Sequence, residues 1–265
     1  MKYFAIAILL FVPFLALGST TVQTRQMVLP ADNISELRVH CGAGSLHITK
    51  AEWRNAIRVF ADIEVDHLSP GDSQGFAAKN TVVSLERKGH RAILKSDLKR
   101  SFLRPQDARI NLIIEVPANI DVFVDDGSGP IHIQHLSGNL EIKDDSGRIV
   151  VEQVAGNVKV ADGSGRIIIE DVRGKVEIRD GSGSIDVSRV KGDVRVTDGS
   201  GPISIQYVDG NVTIADESGA IDINDIAGNV LIREPGTGEL NIERIKGTVR
   251  TQNQIEDTSP DASTE

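Results

Sequence analysis

Between residues 126 and 252 the chain repeats itself every 18 residues, and that period limits the possible folds more than any other feature. Glycines recur at 129, 147, 165, 183, 201 and 219, and Gly238 follows after one extra residue. A second column trails the first by nine residues: Gly138, Gly156, Gly174, Gly192, Gly210, Gly228 and Gly247. So short and strict a period belongs to stacked supersecondary units, each covering its neighbour's apolar face. Counted from the first column, the second, fourth, seventh, eleventh and thirteenth residues are Ile, Val or Leu at 34 of 35 positions, the exception being Thr251. Spacing by two within each half, in β-branched residues, marks strands. A Gly every nine residues interrupts any candidate helix. The period therefore predicts an all-β fold, a parallel β-solenoid of the β-helix type. Its 18-residue coils would each hold two short strands joined by Gly turns around an aliphatic interior.

The turns raise a question of chemistry. Asp126, Asp144, Asp162, Asp180, Asp198 and Asp216 occupy one position of successive coils and should stack as a ladder at the strand spacing of about 4.8 Å. Asp and Ser bond turn N–H groups and Gly admits positive φ, so this ladder reads as structural. A calcium ladder is the rival, since carboxylates are hard oxygen ligands. The calcium-binding repeat of β-rolls, however, is GGxGxD, and its double glycine is missing. No metal and no cofactor is expected. Asn139, Asn157, Asn211 and Asn229 follow the other glycine column and should stack their amides. Glu141, Lys159, Glu177 and Arg195 alternate in sign down one outward column, which suits neighbouring strands.

Period and composition divide the chain. Residues 1–18 have the layout of a signal peptide: Lys2, an uncharged apolar run, and the small-x-small site Ala16-Leu17-Gly18. The run is too short for a membrane span and contains Pro13. Residues 19–125 hold strand-like runs without the strict period. Among them "ISELRVHCGAGSLHI" and "AIRVFADIEV" read as opening coils with wider turns, 67–81 as a loop, and 82–95 as a hairpin. This segment should cap the solenoid, whose end would otherwise be an open edge. Residues 126–252 form seven regular coils, and 253–265 a polar, disordered tail. The formal net charge is −9, which argues against nucleic acid and anionic membrane surfaces as partners. No later segment is apolar enough to span a bilayer, so an exported protein is expected, periplasmic or at the cell surface. Cys41 is the only cysteine, which excludes an internal disulfide. It shares a face with Leu37 and Val39 and reads as a core thiol.

No catalytic residue emerges. Glu152 and Glu170 beside Arg148 and Arg166 read as a solvated charged face, and His132 and His135 lack a third metal ligand. Two coils depart from the pattern. At the third position, where others place His132, Asp186, Ser204, Asp222 or Asn241, they place Val150 and Ile168. Strands apolar on both faces are usually covered on both. Either the N-terminal segment, through its 82–95 hairpin, folds over these residues, or they form a patch for a partner. "INLIIEVPANIDVFVDDGSGPIHI", followed by serial "SGxIxI…GNVxI" units, resembles the bacterial putative-adhesin family from about Ile34 to Val249. The resemblance implies a β-helix-type domain at the cell envelope and carries no catalytic residues. It points to a non-enzymatic adhesin-like or scaffold protein that binds an envelope protein or glycan. The alternative is a polysaccharide-active lyase or hydrolase, which needs paired carboxylates departing from the repeat.

Overall fold

The computed structural model describes residues 21–52, 55–65, 75, 77–98 and 108–252. The leader expected over 1–18 and the tail over 253–265 lie outside these residues, as does most of the 67–81 loop, of which 77–80 form a helical turn. The irregular part contains β1 (Thr21–Pro30), β2 (Glu36–His40), β3 (Leu46–Lys50), β4 (Ala56–Val65), β5 (Thr81–Lys88), β6 (Arg91–Leu98), β7 (Ala108–Val116) and β8 (Asp121–Asp126). The periodic part follows with β9 (Ile131–Gln134), β10 (Leu140–Asp144), β11 (Gly147–Val154), β12 (Val158–Asp162), β13 (Gly165–Val172), β14 (Val176–Asp180), β15 (Gly183–Val190) and β16 (Val194–Ser200). It ends with β17 (Ile203–Val208), β18 (Val212–Ser218), β19 (Ile221–Ile226), β20 (Val230–Pro235), β21 (Leu240–Ile245) and β22 (Val249–Thr251).

These strands build two 11-stranded sheets facing each other across the aliphatic interior. The first runs β1-β4-β7-β3-β9-β11-β13-β15-β17-β19-β21, the second β5-β6-β2-β8-β10-β12-β14-β16-β18-β20-β22. Every periodic coil gives its first strand to one sheet and its second to the other. Each pairs in parallel with its equivalents 18 residues away, as in Ile149↔Ile167 and Val158↔Val176. The extra residue before Gly238 is absorbed in β20, where the register with β18 shifts between Ile214 and Ala215. Inward residues of the first six periodic coils are at most 3% exposed. The glycines do more than turn corners. A Cβ on Gly165 (φ +147°) would lie 1.8 Å from the carbonyl oxygen of Gly147, and one on Gly174 would lie 2.3 Å from that of Gly156.

The N-terminal strands differ from two expectations. "ISELRVHCGAGSLHI" is a full coil, but an inserted one: β2 lies between β6 and β8, and β3 between β7 and β9. "AIRVFADIEV" is not a coil. It is the ten-residue β4, antiparallel to both β1 and β7, because its alternating inward residues run long enough to close the first sheet with a partner from either side. The 82–95 segment is a hairpin, β5–β6, turned by Gly89 and His90. It continues the second sheet edge-on from β2 and does not lie over Val150 or Ile168. Backbone pairing with the open edge of β2 outweighs covering two side chains on the other sheet. Cys41 is half-buried against the core. Burial, then the carboxylates around it, pushes its thiol far up, so it stays protonated and unreactive.

This register makes neighbouring residues respond very differently. Val176→Asp places an unpaired charge in the core, where Val176 is 1% exposed, and should cost about 3 kcal/mol or more. Glu177→Ala, on the outer face, should cost under about 1 kcal/mol. Urea unfolding that finds equal losses would contradict the two-strand register.

Candidate functional site

Stacking turns each coil position into a ladder, and the ladders have unlike chemistry. After the second glycine column the side chain of one coil accepts from the backbone of the next. Asp121 Oδ1 takes the Asn139 N–H at 2.8 Å, Asn139 that of Asn157 at 3.0 Å, and Asn157 that of Lys175 at 2.9 Å. The series restarts at Asp193 and runs through Asn211 and Asn229 to Thr248. In the outward column Lys159 reaches Glu141 at 3.6 Å, while Glu177 pairs within its own strand with Arg179 at 2.9 Å.

The turn aspartates stack in register and are at most 8% exposed. The bond expected to the turn backbone is made in two coils, where Asp180 and Asp216 accept from Ser182 N–H at 3.3 Å and Ser218 N–H at 3.2 Å. Asp126, Asp144, Asp162 and Asp198 lack a well-aligned bond of this kind, although the N–H groups of their own turns, such as Gly127 and Ser128 beside Asp126 and Gly163 and Ser164 beside Asp162, still favour the carboxylate. Burial pushes these four carboxyls up to about 6, and for Asp144, Asp162 and Asp198 the charges of ladder neighbours add to it. Asp180 and Asp216 are raised by the same burial. Among the described residues no three His, Cys, Asp or Glu side chains gather as a metal-ligand set.

The outer face of the first sheet carries a different ladder. Val150 and Ile168 are half-exposed and directly opposite each other. Their row continues across the sheet through His132, His47, Ile113 and Phe60. Ile113 is 45% exposed and the others are partly exposed. The result is a stripe across six adjacent strands, about 24 Å long at the usual strand spacing. His47 and His132 meet edge to face at 5.0 Å, and burial, then the neighbouring His132, lowers the His47 pKa and favours the uncharged ring. Gln26 and Asp186 bound the stripe at its two ends. Polar pairs flank it: the ion pairs Arg58–Glu115 at 3.9 Å and Arg166–Asp186 at 2.8 Å, and the hydrogen bond between His132 Nε2 and Glu152 at 2.9 Å.

One edge of the solenoid presents a third feature. Inward residues four and seven of each coil stand three apart, so the chain must turn between them. The sixth residue does this in the left-handed region: His135, Gln153, Asp171, Arg189, Tyr207, Asp225 and Arg244, with φ from 53° to 61°. A side chain there costs roughly 1 kcal/mol or more against glycine. Five of these residues line a shallow groove of about 620 Å³ together with Lys50, Arg173, Lys191 and Asp209. Arg189 binds Asp171 at 2.7 Å and Glu170 at 2.5 Å, while Tyr207 stands 54% exposed.

A family model described as Toastrack DUF4097 matches residues 10–261. The chain belongs to the Toastrack DUF4097 family. No curated protein matches it. Solved structures similar to it include a putative adhesin from Parabacteroides merdae ATCC 43184, at 14% identity and TM-score 0.45, covering 88% of this chain and 97% of that one. Another is a putative lipid binding protein from Parabacteroides distasonis ATCC 8503, at 15% identity and TM-score 0.40, covering 89% and 96%. A third is a putative cell adhesion protein from Clostridium sporogenes ATCC 15579, at 11% identity and TM-score 0.32, covering 87% and 100%.

In this Toastrack chain the sequence placed His132, Val150 and Ile168 in one row but not His47, Ile113 and Phe60, which extend it. Those lie on strands whose neighbours are fixed by the out-of-order insertion of β2 and β3, which no period announces. The left-handed edge was also missed, although the three-residue step between inward positions signals a corner.

The aspartate ladder gives the Toastrack fold a pH dependence of definite sign. A carboxyl raised from 3.8 to about 6 binds more protons folded than unfolded between those values. Its contribution is therefore fullest below about pH 4 and is lost as pH rises through 6. Asp162→Asn/Asp198→Asn removes two buried charges and should raise the melting temperature by several degrees at pH 7.5, and by much less at pH 4.5. A gain independent of pH, or a loss at pH 7.5, would contradict the ladder's electrostatics.

Proposed function

We propose that this chain is an exported, non-enzymatic binding protein of the cell envelope, adhesin-like or scaffold in role, which takes a protein partner on the outer face of its first sheet. The observation that carries this reading is the stripe Phe60–Ile113–His47–His132–Val150–Ile168, apolar and aromatic across six strands. Its anatomy is that of an interface: an apolar centre with a rim of paired polar side chains. The acids beside it, Glu115, Glu152 and Asp186, are each engaged by a base, which favours binding over hydrolysis of a polysaccharide. The signal-peptide pattern of residues 1–18 supports export, and membership of the Toastrack DUF4097 family fits a non-enzymatic β-solenoid.

The test is a triple variant, Ile113→Ser/Val150→Ser/Ile168→Ser, compared with the unaltered protein in capture from envelope extract. All three side chains are partly exposed, so each change should cost at most about 1 kcal/mol and leave the protein folded. A protease-sensitive species retained by the unaltered protein and lost by the variant is expected. Equal retention by both, or a captured species that resists protease and is a glycan, would overturn the reading.

A further inference from the structure

Among the described residues, the aliphatic interior sealed along the solenoid is uncovered at its C-terminal end. Ile221, Ile223, Ile226, Val230 and Ile232 are 0–1% exposed. Their equivalents one coil later are not: Leu240 is 38% and Val249 45% exposed, and Ile242 and Ile245 are only partly buried. Among the described residues β21 and β22 are the last strands of their sheets, so both present an unpaired strand edge in the same direction. The other end of the solenoid is finished differently. There the antiparallel pair β1–β4 and the hairpin β5–β6 terminate the sheets.

We propose that the C-terminal end is a self-association surface on which a second copy of this chain docks, C-terminal end against C-terminal end. The partner for such a surface must offer two strand edges at the width of the solenoid with apolar side chains between them. The same end of another copy has this cross-section by construction, and a two-fold axis brings the two together as an isologous contact. The opposite end does not match, because its outermost strands, β1 and β5, are ten and eight residues long against six and three for β21 and β22. Charge permits the contact as well. The whole chain carries −9, but residues 237–252 hold Glu239 and Glu243 against Arg244, Lys246 and Arg250. The following residues 253–265 have one large apolar residue, Ile255, and four acids with no base, a poor composition for covering four aliphatic side chains.

Sedimentation of the full chain over a dilution series reads the proposal directly. The expected result is a two-chain mass that falls to one chain on dilution. Leu240→Lys/Val249→Lys should hold the mass at one chain throughout, with an unchanged melting temperature, since both side chains are already exposed. A spin label on Lys246→Cys should report a short distance between copies, and one on Glu86→Cys, at the other end, none. A one-chain mass at every concentration overturns the proposal. If deletion after Gln252 then produces association, residues 253–265 are what covers the end. A two-chain mass that survives Leu240→Lys/Val249→Lys, or a short distance from Glu86→Cys, overturns it equally.

Discussion

Each coil lies so close upon the one before it that a methyl group on Gly183 would sit 1.6 Å from the carbonyl oxygen of Gly165. That approach lets the turn backbones bond from coil to coil, as Gly165 N–H does to Ser182 O at 2.9 Å. It also locks the register to 18 residues, because a slip in either direction would bring a side chain against a carbonyl. The aliphatic columns, the two sheets and the straight outer rows all follow from this contact. With no disulfide among the described residues, backbone pairing and aliphatic burial carry the stability.

A fixed register stacks every residue on its own equivalents, for better or worse. Stacked amides gain, since an Asn oxygen meets the N–H of the next coil. Lys175 interrupts that series because its side chain offers no acceptor, and it reaches Asp193 instead at 3.5 Å. Stacked aspartates lose, because burial penalises their charge and, at Asp144, Asp162 and Asp198, ladder neighbours repel it as well. The ladder ends where the extra residue of β20 brings Pro235 opposite Asp216. The left-handed edge adds a second local cost, carried by His, Gln, Arg and Tyr where glycine would be cheaper. Both costs are spread along a core that buries five aliphatic side chains per coil.

How much of this was legible depended on whether a residue's neighbours are set by the period. Within the periodic coils the inward columns, the amide ladder and the partnership of Val150 with Ile168 follow from counting. Before Asp126 the strands pair out of chain order. The coil 36–50 slots between β6 and β7 on one side and β8 and β9 on the other, and β4 runs antiparallel, so His47, Ile113 and Phe60 join the row of Val150 only in three dimensions. Long-range pairing of this kind leaves no local signature, because alternation reveals a strand but not its neighbour. That the turn bond is well aligned at Asp180 and Asp216 and poorly aligned at the other four aspartates was likewise beyond a turn motif, which names the donor and acceptor but not their geometry.

The central claim, that backbone contact between coils holds the fold, is tested most directly by unfolding Gly174→Ala in urea beside Gly75→Ala. A Cβ at Gly174 would lie 2.3 Å from the Gly156 carbonyl oxygen, whereas at Gly75 it would meet none of the described residues within 4 Å. Forcing coils apart at one point should cost about 2–3 kcal/mol for Gly174→Ala. Gly75→Ala should leave stability unchanged or slightly raised. Equal and small effects at the two positions would contradict it.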